Sequence, residues 1–147
     1  MYAIMDATGP TGGAALTELR RRGIRVRALA RDPERAARLW DDGVELVIAA
    51  PDDVEALTAA FAGIDAAFVT PSPRKPTAAI AQALVGADVR HVVAVSPRRA
   101  SPDFEDALLA TGASVTFVRV LDDARQGRLV AGQAGRLAAR CLMEARS

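Results

Sequence analysis

Short apolar runs alternate with amphipathic ones along this chain. Tyr2-Ala3-Ile4-Met5 has the length of a strand, and Asp6 to Gly13 follows as a glycine-rich turn. Ala14 to Arg22 puts Ala15, Leu16 and Leu19 on one helical face, with Gly23 as C-cap. Ile24, Val26 and Ala28 alternate with Arg25 and Arg27, the period of a second strand. Asp32-Pro33-Glu34 is a helix start, with Asp as N-cap and Pro in the first turn, and predicts a helix reaching Trp40. Val44 to Ala49 is a third strand, Asp52 or Asp53 caps a helix to Phe61, and Ala66 to Val69 is a fourth strand. The stiff loop Pro71-Ser72-Pro73-Arg74-Lys75-Pro76 leads into a helix to Val85. His91 to Val95 is a fifth strand, too apolar to have a wet face. Ser101-Pro102-Asp103 opens a helix ending at Thr111-Gly112, and Val115 to Leu121 is a sixth strand. From Asp122 the pattern weakens to a loop rich in Gly and Arg, then a helix from Gly135 to Glu144.

Strands alternating with helices predict βαβ units and a parallel sheet, and right-handed crossovers place helices on both of its faces. The expected fold is a doubly wound α/β domain of about six strands in the order 3-2-1-4-5-6. Ligands of such sheets sit beyond the carboxyl ends of the strands, near the switch between strands 1 and 4. The residues falling there are Asp6 to Gly12, Arg31, Ala50, Thr70 to Pro73, and Ser96.

Composition narrows the chemistry. The 147 residues suit one domain, 1–147, with 122–147 its least defined part. Half of them are hydrophobic, and the net charge of +1 gives no reason to expect a nucleic-acid or membrane partner. No apolar run is long enough to span a bilayer, and Met1-Tyr2-Ala3-Ile4 does not open like a signal peptide, so a cytoplasmic location is expected. The lone cysteine Cys141 and lone histidine His91 exclude an internal disulfide and a zinc site, and no metal is expected. The only tyrosine is Tyr2 and the only lysine is Lys75, so no Tyr-x-x-x-Lys proton-transfer pair exists.

Asp6-Ala7-Thr8-Gly9-Pro10-Thr11-Gly12, between a strand and a helix, carries the most information. Gly9 lets backbone approach a phosphate, Gly12 lets helix and strand pack closely, and the helix amides face an anion. This turn resembles the Gly-Ala-Thr-Gly-x-x-Gly turn of atypical short-chain dehydrogenase/reductases, in particular the NmrA-like NAD(P)-binding family. Arg27-Ala28-Leu29-Ala30-Arg31-Asp32-Pro33, Gly63 to Phe68, Val89 to Ser96, and Glu105 to Val120 are similar to that family's segments in order and spacing. The resemblance covers residues 1 to 121. It implies an oxidoreductase-like protein that binds NADP through Thr8, Gly9, Pro10, Thr11, Gly12, Arg31, Thr70 and Pro71, with a small-molecule substrate.

The departures are specific. Asp6 stands where the family has its first glycine, so a carboxylate faces the pyrophosphate. At about 4 Å and an effective dielectric near 20, like unit charges repel by about 4 kcal/mol, roughly a thousandfold in affinity. Ala49-Ala50-Pro51 stands where the family carries an Asp against adenine, Asp52 is displaced from that place, and Val120 replaces a proline. The chain is about half the family's usual length, so most of the substrate-binding part is expected to be missing or compressed.

Each candidate has a plain structural alternative. Arg31 reads as a 2′-phosphate partner favouring NADP over NAD, or as a solvated Arg paired with Asp32 or Glu34. Ser96 reads as a catalytic serine at the end of strand 5, or as the start of a turn. Asp6 reads as a general acid or base, or as a turn residue tolerating unusual dihedrals. His91 reads as a packed edge residue, Trp40 as an anchor in the core or an interface, Cys141 as a small apolar residue, and Arg20-Arg21-Arg22 as a solvated helix end. Two classes of function remain: an NADP-dependent oxidoreductase, or a non-catalytic scaffold or ligand sensor that has lost the coenzyme. A cofactor-independent enzyme using the same crevice is a third reading. An exposed edge at strand 6 predicts a homodimer.

Overall fold

The computed structural model describes residues 1–50, 52–70, 77–97, 102–120 and 127–145. In chain order the elements are β1 (Tyr2–Ile4), α1 (Pro10–Arg21), β2 (Val26–Ala30), α2 (Pro33–Ala36) with a 3-10 turn (Ala37–Leu39), β3 (Val44–Ile48) and α3 (Val54–Phe61). They continue with β4 (Ala66–Val69), α4 (Thr77–Gly86), β5 (His91–Pro97), α5 (Pro102–Leu109), β6 (Ser114–Val120) and α6 (Gly127–Ala145). All pairings are parallel, and the six-stranded sheet has the order β3-β2-β1-β4-β5-β6. This is the doubly wound sheet that the alternating pattern predicts. Ile4 pairs with Ala28 on one side and Phe68 on the other, so the β1 turn opens between β2 and β4.

Apolar side chains on the two faces of the sheet feed two cores. One joins Tyr2, Ile4, Ala28 and Phe68 to Ala15, Leu16 and Leu19 of α1 and Ala138, Ala139 and Leu142 of α6. The other joins Ala3, Met5, Ala67 and Val69 to Leu57 and Phe61 of α3, Ile80 and Leu84 of α4, and Phe104 and Leu108 of α5. β4 is buried along its whole length because both faces are covered. Burying Phe61 or Phe68 contributes about 1.5–3 kcal/mol each against leaving it in water.

Several boundaries differ from the expectation. α1 starts at Pro10 instead of Ala14, so Gly12 and Gly13 belong to its first turn. Proline at the first helical position presets φ and gives up an amide that has no intrahelical acceptor, which offsets two glycines. α2 ends at Ala36 and becomes a 3-10 turn, and Trp40 is 71% exposed, so it is no core anchor. β5 runs through Pro97 because β6 pairs with it to that residue, which puts Ser96 inside the strand. α6 begins two turns before the expected start at Gly135. Its glycines mask the helical period, and tertiary packing supplies what intrinsic propensity does not.

The arginine run is not uniformly solvated either. Arg21 and Arg22 pair with Glu18 on the surface, but Arg20 donates from Nη1 to the Ile24 carbonyl at 2.9 Å and from Nη2 to Asp41 at 2.8 Å. The Gly43 amide and Arg20 together hold the Asp41 carboxyl below the usual carboxylate range. Arg27 donates from Nη1 to the carbonyls of Ala60 and Ala62 at 2.8 and 2.7 Å, tying the end of α3 to β2.

α6 lies along α1 with one very close approach. A Cβ on Gly135 would come within 2.4 Å of the Thr11 carbonyl oxygen and 2.9 Å of the Ala15 nitrogen. A Cβ on Gly132 would meet only the end of the Arg136 side chain, at 3.6 Å. Alanine favours a helix over glycine by about 1 kcal/mol, whereas overpacking against fixed backbone costs about 1–3 kcal/mol. Gly135→Ala is therefore expected to lower the melting temperature, while Gly132→Ala leaves it unchanged or raises it. Equal shifts for the two variants in a thermal melt would contradict this packing.

Candidate functional site

The residues after β1 are stitched to both neighbouring strands. The Met5 amide donates to the Phe68 carbonyl at 3.1 Å and the Ala7 amide to the Leu29 carbonyl at 3.3 Å. Between them Asp6 adopts φ +53°, the left-handed region where Asp is tolerated better than most residues. Its carbonyl accepts from the Gly9 amide at 2.9 Å, closing the turn. Its side chain lies against Gly9, where an added Cβ would come within 2.5 Å of Oδ2, and the residue as a whole is exposed.

Two features of this turn suit a bound anion. Gly12 is buried where helix meets strand, and a Cβ there would come within 2.3 Å of the Asp6 carbonyl oxygen and 2.9 Å of that of Met5. Only glycine lets α1 start this close to β1. Gly9, the N-cap, has no side chain to satisfy the first amides, and no acidic residue occupies the first turn. Gly13 donates to Gly9, but the amides of Thr11 and Gly12 have no backbone acceptor among the described residues. Open amides and the positive end of the helix dipole converge on this point.

Thr70 closes the other side. β1 and β4 pair at Ile4 and Phe68, so Thr70 lies level with Asp6, two residues beyond the pairing. Thr70 is the buried polar residue among those described, and its Oγ1 has no hydrogen-bond partner there. A buried hydroxyl without a partner carries a desolvation cost that a ligand oxygen or amide would remove.

Around this centre Thr8, Gly9 and Thr11 are half-buried and Pro10 is exposed. Arg31 follows β2, is exposed, and makes no ion pair among the described residues, while Asp32 instead caps α2 by accepting from the Glu34 amide at 3.0 Å. Ala50 is exposed beyond β3, and Asp53, rather than Asp52, caps α3 through the Ala56 amide at 3.0 Å. The structure thus gathers Asp6, Thr8 to Gly12, Arg31 and Thr70 at one end of the sheet. Pro71 and the side chain of Ser96 lie outside the described set.

His91 opens β5 at the amino end of the sheet, opposite this site. Five residues of strand, about 16 Å, separate it from the level of Ser96. Cys141 is half-buried on α6, and burial foremost, with Glu144 adding to it, pushes its thiol up from the ordinary value. Neither residue belongs to the site. The sequence reading missed how close α6 comes to it. The spacing of Ala134, Gly135, Ala138, Ala139 and Leu142 carries that signal as a helical stripe of small residues.

The chain belongs to a family described as NAD(P)H-binding, whose model matches residues 7–128. It is 38% identical over 133 residues to the (4-alkanoyl-5-oxo-2,5-dihydrofuran-3-yl)methyl phosphate reductase of Streptomyces griseus, covering 81% of this chain and 46% of that protein. Triphenylmethane reductase from Citrobacter sp. superposes with a TM-score of 0.72 at 25% identity, over 81% of this chain and 48% of that one. An NADPH-dependent quinone oxidoreductase from Escherichia coli, solved with NADPH, gives a TM-score of 0.85 at 20% identity over 99% of this chain and 65% of that one, a likeness of fold. The chain therefore spans about half the length of the two reductases. Among the described residues no helix is long and apolar enough to cross a membrane.

Replacing Thr70 tests the open hydroxyl directly. Thr70→Val keeps the shape and removes the unsatisfied oxygen, so the ligand-free protein should become more stable by roughly 1 kcal/mol and bind coenzyme less tightly. A lower melting temperature in the free variant would mean that the hydroxyl already has a partner.

Proposed function

We propose that this chain binds NADP(H) beyond the carboxyl ends of β1 and β4 and acts as a reductase of the NmrA-like group on a small molecule. The observation that carries the reading is the first turn of α1, where two amides have no backbone acceptor among the described residues and Gly12 sits at a distance no Cβ allows. In this reading the amides of Thr11 and Gly12 donate to pyrophosphate oxygens, and Gly9 gives the phosphate a close approach. Arg31, free of ion pairs among the described residues, neutralises a 2′-phosphate and selects NADP over NAD. The Thr70 hydroxyl donates to the coenzyme on its nicotinamide side. When bound, the reduced coenzyme supplies a hydride. Without a tyrosine-lysine pair, the proton falls to Ser96, to Asp6, or to water. The relatives named above as reductases support the reaction class, and the substrate stays a small molecule of unspecified type.

Asp6 favours a second reading, a scaffold or sensor without dinucleotide, because its carboxylate sits at the turn that would hold the diphosphate. The matched family favours the first.

Thermal melts separate the two. NADPH at 100 times its dissociation constant should stabilise the chain by about 2.7 kcal/mol, and the absence of any shift with millimolar NADPH or NADH would sink the coenzyme reading. In the same titration Asp6→Gly should tighten binding, and Arg31→Ala should weaken NADPH more than NADH. Unchanged affinity in the first variant, or equal losses in the second, would remove the role given to that residue. The proposal also includes a homodimer, which a light-scattering mass of a single chain would refute.

A further inference from the structure

β3 ends the sheet on one side, so one edge of its backbone is open. The bonds on its other edge show which groups are left over. The Val26 amide donates to the Gly43 carbonyl at 3.0 Å, and the Ala49 amide donates to the Ala30 carbonyl at 3.0 Å. Gly43, Glu45, Val47 and Ala49 therefore turn their backbone groups toward β2 in the parallel ladder. Val44, Leu46 and Ile48 present theirs outward, beyond the sheet. Large apolar side chains stand open at both ends of this edge. Ile48, at the carboxyl end of β3, is 47% exposed. Trp40, at the amino end, is 71% exposed. The Val44 amide donates to the Asp41 carbonyl at 2.9 Å, a tight turn that keeps Trp40 beside the start of the strand.

We infer that β3 is the contact of a two-fold dimer, pairing antiparallel with β3 of a second copy of this chain and centred on Leu46. The inference rests on the homodimer of the preceding proposal and not on its coenzyme. In this register Leu46 pairs with Leu46 of the second copy, and Val44 pairs with Ile48 of the second copy. Every outward amide and carbonyl of β3 then finds a partner, which removes the liability of an open edge. The amino end of each strand meets the carboxyl end of the other, so Trp40 of each copy covers Ile48 of the other. A two-fold contact makes both contacts at once. Charge fits the same arrangement. Glu45 is the one charged residue of β3 and pairs with Arg27 at 3.3 Å. It falls opposite Val47 of the second copy, so no like charges face each other along the strands. Asp42 falls level with Ala50 of the second copy. Arg38, near the amino end, and Asp52, near the carboxyl end, are exposed, opposite in sign and without an ion pair among the described residues. The pairing brings those two ends together.

Sedimentation equilibrium of the full chain, read beside the emission of its single tryptophan, tests it. The wild type should reach the mass of two chains, with Trp40 emission at shorter wavelength than after dilution to single chains. Ile48→Lys changes an exposed position, so it should keep the melting temperature of the single chain and raise the dissociation constant of the dimer roughly tenfold or more. Thr116→Lys, at an exposed position on the opposite edge strand β6, should leave that constant within about twofold of wild type. An Ile48→Lys dimer as tight as wild type, or Trp40 emission that does not follow the mass, would overturn the inference while leaving a homodimer through another surface. A wild-type mass above two chains would overturn the two-fold closure, and the inference with it. A mass of one chain at every concentration would overturn both the homodimer and this contact, while the NADPH thermal shift still decides the coenzyme separately.

Discussion

Everything at the ligand end of this sheet depends on how near α1 can begin to β1. Gly12 sits over the carbonyls of Met5 and Asp6 at a distance no Cβ allows. The approach opens the helix directly above the end of the strand, at the turn between β2 and β4. Any larger residue would push α1 outward and break the packing of Ala15, Leu16 and Leu19 into the sheet. One missing methyl group therefore serves the core and the anion-facing turn together.

α6 extends the same constraint. Gly135 repeats on the helix pair what Gly12 does between helix and strand, a contact of backbone against backbone. Through it the last helix is held in register with the first turn of α1. The left-handed Asp6 makes this more than packing. Its backbone takes the left-handed conformation that glycine adopts most readily, while its side chain puts a carboxylate against Gly9. Arg31, following β2 at this end of the sheet, carries a charge of the sign that a phosphate-bearing ligand requires.

The sheet was legible because its signals are local and redundant. β4 and β5 are continuous apolar runs, β2 alternates, and Asp32-Pro33 marks a helix start by composition alone. The glycine turn was legible as a turn, but its last residues read as loop because Gly12 and Gly13 are poor helix formers; Pro10 and burial decide otherwise. α6 was half hidden for a related reason, since Gly127, Gly132 and Gly135 blur its period and its stability comes from contacts far away in sequence. Thr70 could be placed at the switch point from strand order, but that its hydroxyl has no partner among the described residues is a property of packing.

The central claim is that the amides of Thr11 and Gly12 take the phosphates of a dinucleotide. Amide resonances followed during titration of isotopically labelled protein with NADPH test it most directly. The account predicts large, saturable shifts at Thr11 and Gly12, with Gly9 and Thr70 moving in parallel, while His91 and Cys141 stay still. Saturable binding that leaves Thr11 and Gly12 unmoved, or resonances that do not respond anywhere, would contradict it.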